Sequence, residues 1–346
     1  MLLLAPMEGL LDDVLRAVLT RVGGYDHAVT EFVRVSGTLL PDRYFRRIAP
    51  ELDAGSRTGA GVPVRVQLLG SDPACMAANA ERLARLEPAG VDLNFGCPAP
   101  TVNRHRGGAV LLDEPELLHR IAAALAAVLP PGLPLTAKMR LGVADPGRAR
   151  ECALALVEGG VHGLVVHART KVQGYKPPAH WEWVARIADV VNVPVVANGE
   201  VWTAADWVRC RAVAGVPGVM IGRGAVADPF LAARIRAGRL DAPDAAERAR
   251  EWQVLLMLLE DFRVRVRRKV EPRHVSGRIK QWLHLLARNY PQADRLFTDI
   301  RPIKALAEIE AVMARHGVPL GAQASCVADT VADALPEAKR LLPIAA

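Results

Sequence analysis

Short apolar runs alternate with longer segments of helical periodicity along the first 225 or so residues of the chain. The runs have the length of buried strands, and there are eight of them: Leu2–Ala5, His27–Thr30, Val64–Leu68, Val91–Asn94, Leu135–Met139, Gly163–His167, Val193–Asn198 and Gly218–Gly222. Helix-like stretches between them are Ala74–Leu86, Glu116–Leu129, Arg148–Glu158, Trp181–Asp189 and Ala204–Ala214. This alternation predicts an α/β protein with a (β/α)8 TIM barrel. A doubly wound sheet is the alternative, although no G-x-G-x-x-G follows any strand.

The pattern changes after Asp228-Pro229-Phe230, where the strand rhythm stops. From about residue 240 onward apolar positions fall at helical spacing, as in Leu255, Leu258, Leu259, Phe262 and Val266. We therefore predict a catalytic barrel over residues 1–240 and a smaller all-helical domain over 241–346, with Asp241–Asp244 as the linker. The run 262–270 also alternates, so a strand stays open there.

Composition narrows the class of protein. The chain has 346 residues and is 51% hydrophobic, which is typical of a globular protein. No apolar run approaches the roughly 20 residues of a membrane span, and Met1–Pro6 does not resemble a signal peptide. The five cysteines form no C-x-x-C pair, so we predict neither a metal site nor a disulfide framework. We expect a cytoplasmic monomer without a membrane partner.

Positive charge is concentrated in one part of the predicted helical domain. Residues 262–288 contain nine Lys and Arg against one acid, Glu271, whereas the whole chain carries a formal charge of +7. A basic block on a nearly neutral body indicates a polyanionic partner such as a nucleic acid. A solvated helix face is the alternative interpretation.

Polar residues follow nearly every predicted strand, at the end of the barrel where TIM-barrel enzymes hold their active sites. The loops after strands seven and eight, Asn198-Gly199-Glu200 and Gly222-Arg223-Gly224, are placed where barrels commonly bind phosphate, with Arg223 as the cation. Lys138 on strand five and Gln67 on strand three fit a flavin, which needs a cation near N1 and polar partners for its pyrimidine edge. Pro6-Met7 would cover the ring.

A cysteine lies on the loop after strand four, in the string Asn94-Phe95-Gly96-Cys97-Pro98. A thiol between a strand and a helix suits a reactive group, although many free cysteines are small buried apolar residues. The company of Asn94, Gly96 and the Asn103–Gly108 segment favours the reactive interpretation.

These strings together resemble the tRNA-dihydrouridine synthase family. The motifs occur in the family's order over the whole barrel: Ala5–Gly9, Val66–Leu68, Asn94–Ala109, Lys138–Gly142, His167–Thr170, Asn198–Glu200 and Ile221–Gly224. The C-terminal Gly277–Leu283 resembles the branch that modifies uridine 16 of the tRNA D-loop, as do His167–Lys171, Gly174-Tyr175 and Trp181.

The resemblance implies an oxidoreductase with tightly bound FMN, reduced by NADPH, that saturates the C5=C6 bond of a tRNA uridine. In the family, hydride from the flavin reaches C6 and the loop cysteine, here Cys97, protonates C5. The implied cofactor contacts are Ala5, Pro6, Met7, Gln67, Lys138, His167, Asn198, Gly199, Glu200, Gly222 and Arg223. The implied base contacts are Asn94, Arg140 and Tyr175. Arg278, Lys280 and Arg288 are expected to follow the tRNA backbone.

Two other functions fit parts of the pattern. An FMN barrel acting on a free small molecule, similar to dihydroorotate dehydrogenase, shares the lysine and the glycine loops but does not account for the basic tail. A non-catalytic tRNA-binding module accounts for the tail but not for Cys97, Lys138 and His167.

Overall fold

Eight parallel strands close into a barrel in the computed structural model, which describes residues 1–321. The strands are β1 (Leu2–Leu4), β2 (His27–Arg34), β3 (Val64–Leu69), β4 (Val91–Phe95), β5 (Leu135–Arg140), β6 (Leu164–His167), β7 (Val195–Asn198) and β8 (Gly218–Ile221). Each pairs with its sequence neighbours, and β8 pairs with β1. The closed order confirms the predicted TIM barrel and rules out the doubly wound sheet.

Five helices match the helix-like stretches predicted between the strands, with ends that differ by two residues or fewer, and the other helices were not delimited from the sequence. The helices are α1 (Asp13–Val22), α2 (Asp42–Ile48), α3 (Pro73–Ala84), α4 (Pro100–Asn103), α5 (Pro115–Val128), α6 (Ala149–Glu158), α7 (Glu182–Ala188), α8 (Ala204–Ala214), α9 (Arg223–Ala227), α10 (Leu231–Arg236), α11 (Ala245–Lys269), α12 (Pro272–Leu286), α13 (Pro291–Ile300) and α14 (Leu306–Arg315). Short 3-10 helices cover Pro50–Ala54 and Gly108–Asp113. No helix within residues 1–321 is both long and apolar enough to cross a membrane.

The interior of the barrel has an apolar part and a polar part. One buried apolar cluster, formed by Leu3, Ala5, Val29, Val165, Val196 and Met220, is supplied by β1, β2, β6, β7 and β8. Strands β3, β4 and β5 instead place Gln67, Asp92 and Thr136 at one level, because Gln67 pairs with Asp92 and Asp92 with Thr136 in the strand register. All three side chains are buried. The polar side of the barrel therefore lies on three adjacent strands.

The chain divides into two compact units. The first unit is Met1–Asp13, Tyr25–Val201 and Asp206–Gly222, and it contains all eight strands. The second is Val14–Gly24, Trp202–Ala205 and Arg223 onward. The division into domains of residues 1–240 and 241–346 stays a prediction. The compact units group α9 and α10 with the C-terminal helices.

The described part of the second unit contains helices and no strand, as the periodicity predicted. Helix α11 continues unbroken from Ala245 to Lys269, so the strand left open at 262–270 does not form. Its Phe262 ring meets Trp282 of α12 edge to face, with 4.9 Å between ring centroids. Trp282 also donates its indole N–H to the Val226 carbonyl at 3.2 Å. The remainder of the predicted tail, residues 322–346 with Cys326, lies outside the described residues.

A buried ion network joins three segments of this second unit. Arg234 of α10 contacts both Asp228 and Glu251, and the side chains of all three are 3% exposed. Arg248 contacts the same two carboxylates at 3.0 and 2.9 Å. The Tyr290 hydroxyl lies 2.9 Å from Glu251. Two cations thus balance two anions away from water, which is the condition under which buried charge is tolerated.

Replacement of Arg234 by methionine is therefore expected to destabilise the protein strongly. Two carboxylates would keep only Arg248, and breaking a buried pair costs about 3–5 kcal/mol. Urea denaturation of Arg234→Met against the wild type measures this. Arg85→Met is the matched control, because Arg85 pairs with Glu81 on the surface, where a pair contributes about 1 kcal/mol or less. Equal losses in the two variants would contradict a special role for the buried network.

Candidate functional site

The polar side of the barrel interior carries three of the predicted site residues. Asn94 on β4 is register-paired with Lys138 on β5, and Gln67 on β3 lies one strand away. All three are less than a tenth exposed. Sequence reasoning placed Gln67, Asn94 and Lys138 at one mouth of the barrel, and the strand pairing brings their strands together there.

Hydrogen bonds link these side chains into a continuous relay. Thr136 Oγ1 donates to Asp92 Oδ1 at 2.6 Å, and Gln67 Nε2 donates to Asp92 Oδ2 at 2.7 Å. Gln67 Oε1 accepts from Asn94 Nδ2 at 2.6 Å. Asn94 Oδ1 accepts the backbone N–H groups of Gly96 at 3.0 Å and Cys97 at 2.9 Å. The relay thus runs from the floor of the polar region to the Cys97 loop.

The backbone of Cys97 is held from its carbonyl side as well. Its oxygen accepts from Asn103 Nδ2 and from the Ala109 N–H, each at 3.0 Å. Gly108 has φ +69°, and a Cβ there would lie 2.7 Å from the Cys97 oxygen, so the turn requires glycine. Arg106 Nη2 donates to both Glu114 carboxylate oxygens at 2.7 and 2.6 Å and so ties the loop to the start of α5.

The environment of Cys97 keeps its thiol protonated. Burial raises the pKa of Cys97 above its ordinary 9.0, and the Glu8 carboxylate raises it further. A backbone hydrogen bond at Ala99 and the cations Arg140 and Lys138 act in the opposite direction without reversing the shift. The side chain is half-buried. At neutral pH this group holds a proton, which suits an acid rather than a nucleophile.

Lys138 is a buried cation without a bonded partner in the described part of the chain. Its side chain is 9% exposed, and no residue within 1–321 forms a hydrogen bond or ion pair with its ammonium. Burial lowers the pKa of Lys138 from 10.5 to about 8, Arg140 lowers it further, and the Asp92 carboxylate opposes the shift. A buried charge is costly unless a ligand or partner balances it. The ammonium is therefore suited to an anionic or electron-rich ligand.

Arg140 was predicted to contact the substrate base, and the structure shows it bound to backbone carbonyls. Its Nε donates to Gly96 O at 2.8 Å, and its Nη1 donates to Thr170 O at 2.9 Å and Gly174 O at 2.8 Å. The guanidinium also lies 5.2 Å from the Tyr175 ring centroid. Arg140 therefore ties the Cys97 loop to the loop that presents the half-exposed Tyr175. Contact of Arg140 or Tyr175 with a base stays a prediction.

The ends of β6 and β7 form a second charged group. Arg169 is fully buried, contacts Glu200, and donates through Nε to Lys176 O at 2.7 Å. His167 Nε2 lies 3.4 Å from Arg169 Nη1. Gly199 has φ +114°, and a Cβ there would lie 3.0 Å from the His167 ring. Close packing of loop on imidazole explains this glycine.

The remaining predicted cofactor contacts of the first unit lie where β1, β7 and β8 end. Asn198 donates to Met220 O at 2.9 Å across β7 and β8. Gly222 faces the start of the chain, since a Cβ there would be 3.6 Å from Met7 Sδ and 3.8 Å from Ala5 Cβ. Amide groups, a buried cation and a glycine-lined backbone are the donor set that a flavin requires, so the residues present fit that group.

The predicted phosphate and tRNA contacts of the second unit all have partners within it. Arg223 lies 5.2 Å and Arg288 4.0 Å from the Trp202 ring centroid. Lys280 donates to the carbonyls of Arg301 and Ile303 just after α13. Arg278 donates to Gln281 at 2.8 Å. The four residues remain predicted contacts, now with structural roles that the sequence did not reveal.

Two residues of the relay were missed by sequence reasoning, Asp92 and Thr136. A signal was available, because Asp92 interrupts the apolar residues Val91 and Leu93 and shares a strand face with Asn94. Thr136 shares a face with Lys138 in the same way. A charged residue within an otherwise apolar strand indicates a polar site inside the barrel. Within residues 1–321 no three His, Cys, Asp or Glu side chains are grouped so as to hold a metal ion.

The chain matches known proteins of one family along most of its length. The family model described as dihydrouridine synthase (Dus) matches residues 3–312. A tRNA-dihydrouridine(16) synthase of Ralstonia nicotianae is 55% identical over 94% of this chain and 98% of its own length. The enzyme of the same description from Pseudomonas putida is 55% identical over 94% and 99%. That of Neisseria meningitidis serogroup B is 46% identical over 90% and 93%.

Solved structures with the same fold are more distant. Histamine dehydrogenase from Rhizobium sp. 4-9 superposes with a TM-score of 0.52 at 15% identity, over 76% of this chain and 48% of that one. The 6-hydroxypseudooxynicotine amine oxidase of Pseudomonas geniculata N1 gives 0.53 at 13%, over 69% and 47%. This chain spans about half of each, and at such identity the likeness concerns the barrel fold.

The buried lysine generates a prediction about stability. Because the folded-state pKa of Lys138 is about 8 against an ordinary 10.5, the protonated form is disfavoured in the fold at neutral pH, by roughly 3 kcal/mol. Lys138→Met should therefore raise the free energy of unfolding of the flavin-free protein at pH 7. Denaturant titrations at several pH values measure this.

The sign of the pH dependence follows from the lowered pKa. The disadvantage of the lysine is complete below pH 8 and disappears as pH rises from about 8 to 10.5. The gain from Lys138→Met should shrink over that interval. A gain that stays constant with pH would mean that packing, and not charge, separates the two proteins.

Proposed function

The chain belongs to the dihydrouridine synthase family, and on that premise we propose that it reduces the C5=C6 bond of uridine 16 in the tRNA D-loop. The observation that carries the proposal is the Cys97 loop. Cys97 lies at the mouth of a barrel lined with amides and a buried cation. Burial raises the pKa of its thiol, and Asn94 and Asn103 hold its backbone.

The polar residues of the barrel are suited to FMN. Gln67 and Asn94 each keep one amide N–H that the relay does not use, and Lys138 brings a cation for the electron-rich ring. Pro6, Met7, Asn198, Gly199 and Gly222 are the proposed surroundings of ring and ribityl chain, with Arg223 at the phosphate. Bound and reduced, the flavin supplies hydride for C6 of the uracil ring, and NADPH is the proposed reductant.

Cys97 supplies the proton. When hydride reaches C6, the electron pair of the C5=C6 bond becomes available at C5, and a proton from Cys97 Sγ completes 5,6-dihydrouridine. The thiolate left behind is stabilised by the positive charges of Arg140 and Lys138 and regains a proton from water at the half-exposed loop. General acid catalysis of this kind contributes about 10²–10⁴-fold.

The target uridine has to leave its stack to reach the interior of a barrel. Tyr175 is 54% exposed on the loop tied by Arg140, and it is the proposed stacking surface beside His167. Cations of the second unit, including Arg278, Lys280 and Arg288, are proposed to follow the tRNA phosphates, which positions the tRNA without reading its bases. A cytoplasmic monomer is the proposed working form.

The direct test is formation of dihydrouridine in tRNA. Purified holoenzyme with NADPH should convert uridine 16 of unmodified tRNA, mapped by reverse-transcription stops or mass spectrometry. Cys97→Ala should retain flavin and its reduction but lose about 10²–10⁴-fold in single-turnover reoxidation by tRNA. Conversion at another position would correct the site, and wild-type turnover by Cys97→Ala would remove Cys97 from the mechanism.

The pH dependence of the tRNA half-reaction gives an independent check. An acid acts below its pKa, and the pKa of Cys97 is raised above 9.0. Single-turnover reoxidation by tRNA should therefore hold up to pH 9 and decline only beyond it. A decline centred below pH 8, in stopped-flow traces of flavin absorbance, would contradict a buried protonated thiol as the acid.

A further inference from the structure

Asp92 is a charged residue for which packing gives no reason. It is the second residue of β4 and is 1% exposed. Among residues 1–321 no Lys, Arg or His nitrogen lies within 4.0 Å of its carboxylate. A buried carboxylate without an ion pair is costly, and an apolar side chain would fill the same space more cheaply. Its two hydrogen-bond donors therefore indicate what the charge is used for.

The carboxylate determines which way the Gln67 amide faces. Burial raises the pKa of Asp92, while hydrogen bonds from Gln67 and Thr136 and the charges of Arg65 and Lys138 oppose the rise. Both carboxyl oxygens accept hydrogen bonds, which is the arrangement of the ionised form, since an ionised carboxylate cannot donate. Gln67 must therefore present its Nε2 to Asp92, where the distance is 2.7 Å. The amide oxygen of Gln67 is then turned to Asn94 Nδ2 at 2.6 Å. Thr136 Oγ1 donates to the other carboxylate oxygen at 2.6 Å.

The other end of the relay permits the same orientation only. The backbone N–H groups of Gly96 and Cys97 are donors, so they require Asn94 Oδ1, which lies 3.0 and 2.9 Å away. Asn94 must then offer Nδ2 to Gln67, and Gln67 must offer Nε2 to an acceptor. Asp92 is that acceptor. The backbone N–H groups at one end can only donate, and the carboxylate at the other end can only accept. Each amide side chain therefore has a single orientation in which all these hydrogen bonds form.

We infer that Asp92 is a positioning residue, which acts through Gln67 and Asn94 to hold the backbone of Cys97 and to fix which polar atoms the two amides present at the barrel mouth. The effect on dihydrouridine formation rests on the proposed function. The effect on the Cys97 loop rests on the hydrogen bonds alone.

Asp92 has a second effect through its charge. It lies two residue pairs below Lys138 on neighbouring strands, since Asp92 pairs with Thr136, Leu93 with Ala137 and Asn94 with Lys138. Its negative charge opposes the fall in the pKa of Lys138 that burial causes. A variant that keeps the hydrogen bonds but loses the charge therefore separates orientation from electrostatics.

Three variants of the holoenzyme test the positioning role of Asp92. Asp92→Ala removes the acceptor of the relay. Asp92→Asn loses the charge but can offer its amide oxygen to Gln67 and its N–H to the Thr136 hydroxyl. Thr136→Val is the matched control, because it removes a hydroxyl from the same carboxylate and leaves the Gln67 contact in place.

Hydrogen exchange of the peptide around residues 94–99 is the first readout, since it contains the Gly96 and Cys97 amides. Exchange in Asp92→Ala should be at least about tenfold faster than in the wild type, while a peptide from α5 exchanges as before. Asp92→Asn and Thr136→Val should stay within about threefold. Faster exchange in both peptides of Asp92→Ala, or an unchanged 94–99 peptide, would overturn the inference.

Reoxidation of the reduced flavin by tRNA is the second readout, expressed per bound flavin. Asp92→Ala should lose about tenfold or more relative to Asp92→Asn, because both lack the charge and only the alanine lacks the acceptor. Equal rates in the two variants would overturn the positioning role in catalysis. A wild-type enzyme that forms no dihydrouridine would instead refute the proposed function and leave the exchange result standing.

If Asp92→Ala does not fold, a second variant tests the same inference. Gln67→Met interrupts the relay at its centre with an apolar side chain of similar length and leaves the carboxylate. The 94–99 peptide of that variant should lose protection as in Asp92→Ala. Retained protection there would show that Asn94 holds the Cys97 loop without help, and the inference would fall.

Discussion

A barrel of parallel strands encloses its interior, so a polar group placed there has to be satisfied by other groups of the interior or by a ligand. The protein concentrates that demand on β3, β4 and β5, where register sets Gln67, Asp92 and Thr136 side by side. The apolar cluster comes from the five other strands, of which β6 and β7 also end in the buried polar residues His167 and Asn198. Everything at the mouth depends on this division, because the polar sector both holds the Cys97 loop and leaves unused N–H groups for a ligand.

Three buried cations near the mouth differ in the partners that balance their charge, and each has a different role. Arg169 has a carboxylate partner, Glu200, and is neutralised in place. Arg140 donates to three backbone carbonyls and joins two loops. Lys138 has neither kind of partner within residues 1–321, and its pKa falls to about 8. Only the last has interaction energy left for a ligand, which is why it is the strongest single indicator of a cofactor.

The barrel was predictable because its strands have a local signal. Apolar runs of four to six residues located all eight strands, and the ends of the five helices delimited from the sequence differed by two residues or fewer. The chemistry of the mouth was predictable where it depended on strand ends, as for Lys138 and Cys97. The partners of Arg140 were not, because Gly96, Thr170 and Gly174 are brought to it by the closure of the barrel and have no periodic relation to it in the sequence.

Charge in the helical tail shows the same limit more sharply. The block 262–288 looks strongly basic when counted along the chain, yet its neutralising acids lie just outside it or far away. Arg263 pairs with Glu260 and Glu310, Arg267 with Glu310, and Arg265 with Asp261. Lys280 serves the carbonyls after α13. The charge available to a polyanion is therefore smaller than the sequence count, and its position depends on which cations helix packing leaves at the surface.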